Sequence, residues 1–328
     1  MSDPLPRQEW LALAVLAAVL AALIVGALAT DLPGASHGQF WSDGATYYAM
    51  AWSLALDGDL RYERDDLLRV RQEFPGGPQG IFLKRSSGGL ILDGAAGFPW
   101  IRRVRPDERR IYFAKALAYP LAAAPLVRLF GTRGLLLLNA LSLGTALALG
   151  YSEARRRVAP FRALALTAAV FLFGVTPVYL VWPQPELLNL ALVCAALVAW
   201  RRECPLLSAV LFGIATYSKP TNLLVALPLG SAPLFPTGRL ALGAGLRESA
   251  RRGLALAGTT LLLYGMNAAV TGEWNYQGGE RKTFYGSFPF DPAHVTFGNS
   301  GIWMTTEHLG PVLPEAGEEA RAKARGVI

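Results

Sequence analysis

Three carboxylates, Asp43, Asp57 and Asp59, fall within SDGATYYAMAWSLALDGDLRY, the stretch 42–62 that begins shortly after a long apolar run ends. A carboxylate held rigidly where the chain leaves an apolar span can orient an acceptor hydroxyl or take its proton. Asp57-Gly58-Asp59 is also a literal D-x-D. Basic residues follow at Lys84, Arg85, Lys115 and Lys219, and a further acid at Glu186. Cations gathered where water is excluded stabilise a developing anion by several kcal/mol. Such groups do chemistry only if the fold brings them together.

Each has a structural use as well. From 44 to 56 the positions Ala45, Tyr48, Ala49, Trp52, Ala55 and Leu56 recur at helical spacing. This predicts an amphipathic helix whose aromatic face suits a membrane interface. Ser42 or Asp43 would be its N-cap, worth about 1 kcal/mol. The two uses of Asp43 conflict in part, because hydrogen bonds to the ionised form weaken a base. Asp57-Gly58-Asp59 has the make-up of a turn closing the helix, with Gly58 free to take a positive φ. Tyr47 and Tyr48 fit an aromatic belt, and Lys84 and Arg85 fit solvent or lipid headgroups. Lys115 can snorkel from an interfacial helix. Glu186 follows Pro183-Gln184-Pro185 at a predicted helix start, where the dipole favours a carboxylate. Lys219 can simply mark a hairpin turn.

The elements that must position these groups are mostly apolar. The chain has 328 residues, 52% of them hydrophobic, and a formal net charge of +7; its mean hydropathy is +0.32. That is more apolar material than one soluble core requires, and it predicts an all-α polytopic membrane protein. The arginines cluster between apolar runs, as topology markers and contacts for membrane lipids, and not as a nucleic-acid footprint. Cys194 and Cys204 are the only cysteines. On one helix they would lie about 15 Å apart, too far for a disulfide. The chain lacks G-x-x-x-x-G-K-[ST], a strand-linked G-x-G-x-x-G, H-E-x-x-H and G-x-S-x-G. Its histidines are His37, His294 and His308, too few for a histidine-rich metal centre.

The run WLALAVLAAVLAALIVGALA at 10–29 spans about 30 Å as a helix, the thickness of a hydrocarbon core. Ala27-Leu28-Ala29 imitates a signal-peptidase site, but the run exceeds the ~7–15 apolar residues of a cleaved signal and reads as a retained anchor. Further apolar runs cover 134–151, 163–182, 187–200, 205–236 with a break at Lys219-Pro220, and 253–270. The positive-inside rule keeps the basic clusters at 155–162, 201 and 239–252 in the cytoplasm. The stretch 205–236 must then cross twice, turning at Lys219-Pro220. The same parity makes 111–131 a helix lying along the outer interface. The expected architecture is about seven spans. It divides into an anchor at 1–30, an external loop at 31–133 with the acid and juxtamembrane helices, a bundle at 134–271 and an external tail at 272–328. Parity puts Asp43, Lys84, Arg85, Lys115, Glu186 and Lys219 at one membrane surface, and 284–313 reads as an outer-face loop covering a site.

The order of a first span, Asp43 soon after it, a tyrosine at 47 or 48, GDL at 58–60 and YFAKALAYPLAAAPLVRLFG at 112–131 resembles the integral-membrane glycosyltransferases of the GT-C superfamily. That superfamily includes the aminoarabinose transferases and protein O-mannosyltransferases. PELLNLALVCAALVAW with Glu186, LFGIATYSKPTNLLVALPL with Lys219-Pro220, and MNAAVTGEWNYQGG resemble its later stretches, so the likeness covers most of 1–285. It implies transfer of a sugar from a polyprenyl-phosphate-linked donor to a hydroxyl of a glycan, lipid or protein acceptor, at the outer face of the cytoplasmic membrane. It also implies Asp43 as the catalytic residue, with Tyr47, Tyr48, Asp59, Lys84, Arg85, Lys115, Glu186 and Lys219 as substrate-binding candidates. Where the family has a Lys-Pro-Pro-Leu run, this chain reads KALAYP from Lys115. Relatives carry further spans, so 272–328 reads as an incomplete tail. No organic cofactor is implied, and a divalent metal is compatible with the scheme. One carboxylate suffices, because a phosphate leaving group needs no proton, whereas a glycosidase needs two flanking acids.

Two other classes compete. A transporter is marked by intramembrane charges and broken helices near mid-bilayer, but here the charges gather at one surface beside a long loop. A partial, non-catalytic module completed by a partner is the other. The topology can be tested directly with Cys194 and Cys204 replaced by serine. Asp43→Cys and Lys219→Cys should both react with an impermeant maleimide added outside spheroplasts, and Arg156→Cys only after lysis. Labelling of positions 43 and 219 from opposite sides would remove the shared surface.

Overall fold

The computed structural model describes residues 6–38, 40–75, 78–85, 89–92, 101–104, 111–235, 242–277 and 282–284. In chain order its elements begin with α1 (Arg7–Ala29), α2 (Leu32–Ala35), β1 (Phe40–Trp41), α3 (Ser42–Leu56), α4 (Arg64–Glu73), β2 (Pro78–Gln79), β3 (Ile81–Arg85), β4 (Gly89–Leu92), β5 (Ile101–Val104) and β6 (Ile111–Phe113). They continue with α5 (Ala118–Phe130), α6 (Arg133–Arg155), α7 (Pro160–Leu172), α8 (Glu186–Arg201), α9 (Pro205–Ser218), α10 (Leu223–Ser231), α11 (Leu242–Thr271) and β7 (Lys282–Phe284). The protein is mostly helical. Among the described residues three helices are long and apolar enough to cross a membrane: α1, α6 and the Gly243–Thr271 part of α11. Helices α7 to α10 have 13, 16, 14 and 9 residues, fewer than the ~20 of a full crossing.

The chain forms two compact units. One gathers the described residues up to Thr30 with those of Leu129–Tyr264, and the other those of Asp31–Arg128 with the described residues from Gly265 to Phe284.

In the first unit α1 packs on α6 and α7, α6 also on α8, and α8 on α9. Ala12 and Leu16 of α1 meet Leu143, Leu147 and Tyr151 of α6, with Ala163 and Leu187, in one buried cluster. The acid Glu9 is buried at the end of that cluster. It accepts from Tyr151 Oη at 3.0 Å and pairs with Arg155, the partners that a withdrawn carboxylate requires. The apolar run at 163–182 is not one helix. It stops at Leu172 and resumes as a 3₁₀ turn, Thr176–Leu180, where Pro177 has no N–H to continue an α-helical ladder. Asn139, buried in α6, donates to the carbonyls of Tyr179 at 3.0 Å and Trp182 at 2.7 Å, satisfying groups that the break leaves open. The expected break at Lys219-Pro220 is present between α9 and α10. Cys204 lies past the end of α8, which carries Cys194, so the cysteines do not share a helix.

In the second unit a three-stranded sheet runs in the order β6-β3-β7, antiparallel throughout, and β4 pairs with β5. The loop thus holds strands as well as the expected helices. The 111–131 helix is corrected: Ile111–Phe113 is strand β6, and the helix α5 starts only at Ala118. Ile-Tyr-Phe is a β-favouring run, and the backbone of this segment is already taken up by β3 and by the Tyr62 N–H, which reaches Ile111 O at 2.8 Å. Helix α3 begins at Ser42, in a left-handed conformation with φ 52°, so Asp43 sits inside the first turn and is not the cap. Arg128 donates to Ala55 O at 2.7 Å, a cation on the carbonyl end of α3. In α4, Glu63 and Asp66 form a capping box; burial pushes the Asp66 carboxyl up to about 7, against the lowering effect of its bond from the Glu63 N–H and of Arg69.

Close packing of α9 on α11 generates a prediction. A Cβ at Gly213 would lie 2.8 Å from Thr259 Cβ and 2.9 Å from Leu256 O, whereas at Gly258 it would meet nothing within 4 Å. Gly213→Ala should destabilise by about 1–3 kcal/mol through overpacking, and Gly258→Ala should not destabilise. Thermal unfolding in detergent compares the two.

Candidate functional site

The site is organised by β3, Ile81-Phe82-Leu83-Lys84-Arg85. Alternation puts Phe82 and Lys84 on one face and the buried Ile81 and Leu83 on the other. The strand is pinned to α3 by Thr46, whose Oγ1 accepts from Phe82 N at 3.1 Å and donates to Ser42 O at 2.9 Å. It is pinned to the segment after β6 by Ala114 N, which donates to Phe82 O at 2.9 Å. Asp43 lies one turn from Thr46 on α3, and Lys115 directly follows Ala114. These two backbone anchors bring the acid and the lysine together.

Lys115 Nζ is 2.6 Å from Asp43 Oδ1 and 4.2 Å from the centroid of the Phe82 ring, within the range of a cation–π contact. The Lys115 side chain is 11% exposed and that of Asp43 40%. The ammonium is therefore withdrawn, while the carboxylate keeps an open side from which a solute can approach. Lys115 stands in the connection between β6 and α5, not on an interfacial helix.

Lys84 is enclosed, at 1% exposure. Its Nζ donates to Thr271 Oγ1 at 3.0 Å and Asn275 O at 3.3 Å, with Glu273 Oε2 at 3.9 Å. Burial pulls its pKa down to about 8, partly offset by Glu273. Its donors point at protein, so it ties β3 to the end of α11 and positions the sheet that carries Phe82. Arg85 lies in β3 opposite Ile111; its side chain is outside the described residues.

The other expected residues are placed differently. Tyr47 and Tyr48 are buried, Tyr47 edge-on to Tyr119 with ring centroids 5.6 Å apart and Tyr48 edge-on to Phe74 at 5.4 Å. Both rings serve the packing of α3 and not an exposed aromatic belt. Asp59 Oδ1 accepts from Ser53 Oγ at 3.2 Å and Arg61 N at 3.0 Å, and Gly58 has φ 73°. Asp57 pairs with Arg69 at 3.1 Å, so the D-x-D forms the turn that closes α3. Glu186 and Lys219 belong to the first unit, where Lys219 Nζ is 2.6 Å from Glu186 Oε1. Beside them Asn189 donates to Ser218 Oγ at 2.9 Å and accepts from Asn222 at 3.1 Å. The 284–313 loop lies outside the described residues, apart from Phe284 at the end of β7.

Phe82, Thr46 and Glu273 were missed as contributors. Strand alternation from Lys84 could have found Phe82; nothing local in the sequence links Glu273 to Lys84. Among the described residues no cluster of three or more His, Cys, Asp or Glu side chains could hold a metal ion. The class so defined is a mostly helical protein with candidate membrane-spanning helices and a carboxylate–lysine pair on a separate α/β unit. No family model, curated protein or solved structure matches the chain.

The buried Lys84 makes stability depend on pH. Its folded value of about 8 lies below the ordinary 10.5, so between those limits the unfolded chain holds a proton that the folded chain has lost. The cost of the buried charge is carried in full below about pH 8, and stability rises as pH climbs from there towards 10.5. Denaturation midpoints at neutral and alkaline pH should show this rise in the wild type and a flatter dependence in Lys84→Met.

Proposed function

We propose that this chain is a membrane glycosyltransferase that moves a sugar from a polyprenyl-phosphate donor to an acceptor hydroxyl at the outer face of the cytoplasmic membrane. The observation that carries the reading is the half-open Asp43 carboxylate held 2.6 Å from Lys115, in the unit that follows the first long apolar helix. The resemblance of the ordered motifs to the GT-C superfamily supports it, as do the three long apolar helices. In this reading α7 to α10, each too short to cross by itself, cross together with the 3₁₀ turns and connections that adjoin them, about seven spans in all under the positive-inside rule.

In the reaction the acceptor oxygen bonds to the anomeric carbon while the bond from that carbon to the carrier phosphate breaks, its electron pair leaving with the phosphate. The hydroxyl proton passes to Asp43. Neutralising Asp43 removes the counter-charge of Lys115 as negative charge grows on the phosphate, and the lysine is then available to stabilise it. Attack from the face opposite the carrier inverts the anomeric configuration. Lys84 acts by holding β3.

Purified protein incubated with a labelled polyprenyl-phosphate sugar and an acceptor mixture tests this. Asp43→Asn should lower transfer by about 10²–10⁴-fold, the usual contribution of a general base, with Asp59→Asn close to wild type. Undiminished transfer by Asp43→Asn would refute the assignment, and loss confined to Asp59→Asn would move the site to the D-x-D turn.

A further inference from the structure

The first unit contains a crevice of about 410 Å³ between α8, α9, α10 and α11, within the roughly 300–1,000 Å³ typical of ligand sites. Its walls are apolar, with Phe212, Leu223, Leu227 and Leu256 among them. Ser249 and Arg252 also line it. Arg252 is 18% exposed, with Nε 3.0 Å from Glu248 Oε1. Arg251 is 3.9 Å from the other oxygen of the same acid, and Arg247 lies one residue before it. One carboxylate among three arginines leaves an excess of positive charge on this part of α11, where Arg252 is the arginine that lines the crevice. Ser249 Oγ is shut off from solvent and has no hydrogen-bond partner among the described residues; rotation of this side chain into the crevice it lines would let the acceptor oxygens of an occupant meet it.

We propose that this crevice binds an anionic phospholipid, one acyl chain lying along the apolar walls and the phosphate meeting Arg252 and Ser249. Basic pockets between membrane helices recognise anionic headgroups in this way. A free phosphate leaves the apolar walls uncovered, and a zwitterionic lipid leaves the arginine charge unmatched. The positive-inside rule assigns these arginines to the cytoplasmic side, so the lipid comes from the inner leaflet. The site is independent of the glycosyltransferase reading.

Native mass spectrometry of the detergent-purified chain, titrated with phosphatidylglycerol, phosphatidylcholine or inorganic phosphate, tests the proposal. Phosphatidylglycerol should be retained at least about tenfold more tightly than phosphatidylcholine, and inorganic phosphate should not bind measurably. Arg252→Gln should erase the preference, and Ala226→Phe, which fills the crevice, should lower retention of phosphatidylglycerol. Equal retention of the two lipids by the wild-type chain would overturn the proposal, as would binding of phosphate alone. That comparison needs no variant to fold.

Discussion

An ammonium withdrawn from water needs an opposite charge close by, and at Lys115 that charge is the Asp43 carboxylate, 2.6 Å away. Removing one member of such a pair leaves the other uncompensated, which costs more than the pair gains in forming. Much of the second unit follows from this requirement. The carboxylate must sit in the first turn of α3, the lysine must follow β6 at once, and β3 must hold both through Thr46 and Ala114. Phe82 completes the arrangement by offering its ring face to the ammonium.

Lys84 shows the same constraint under harsher terms. It has no solvent-facing side, so its charge is met by Thr271, the Asn275 carbonyl and Glu273, and its proton affinity falls. The two lysines therefore differ in what they can do. Lys115 faces a carboxylate with an open side and can respond to a ligand, whereas Lys84 is bound to protein groups and sets the position of the sheet. The enzymatic proposal assigns them different roles for this reason.

The first unit answers a related demand in an apolar setting. Wherever an apolar helix breaks, freed backbone groups need partners that hydrocarbon cannot supply. Asn139 provides them at the 3₁₀ turn after α7, and Asn222 donates to Ala215 O at 2.9 Å beside the Lys219-Pro220 break. Glu9 and Glu186 are each neutralised by a basic side chain. Some enclosed polar atoms of this unit keep no hydrogen-bond partner among the described residues, Thr216 Oγ1 and Ser249 Oγ among them, and beside the arginines of α11 an anionic lipid would supply one to Ser249.

What the sequence determined by itself was local. The long helices α1 and α6 and the 253–270 part of α11 follow from composition and length, because an apolar run of that size has few alternatives; α11 itself begins earlier, at Leu242, so the basic cluster expected as a loop lies largely within the helix. The break at Lys219-Pro220 follows from a missing N–H, and the turn at Asp57-Gly58-Asp59 from a glycine able to reach positive φ. The tertiary structure decided which distant segments lie side by side. It made Ile111–Phe113 a strand, because β3 offers its backbone there; it stopped the 163–182 helix early, where Asn139 satisfies the break; and it turned Tyr47 and Tyr48 inward against Tyr119 and Phe74. It also separated the roles of Lys84 and Lys115. Their charges, the same in sequence, are set apart by counter-charges far along the chain, Asp43 for Lys115 and Glu273 for Lys84, since burial and counter-charge are properties of the packed neighbourhood and leave no local pattern to read.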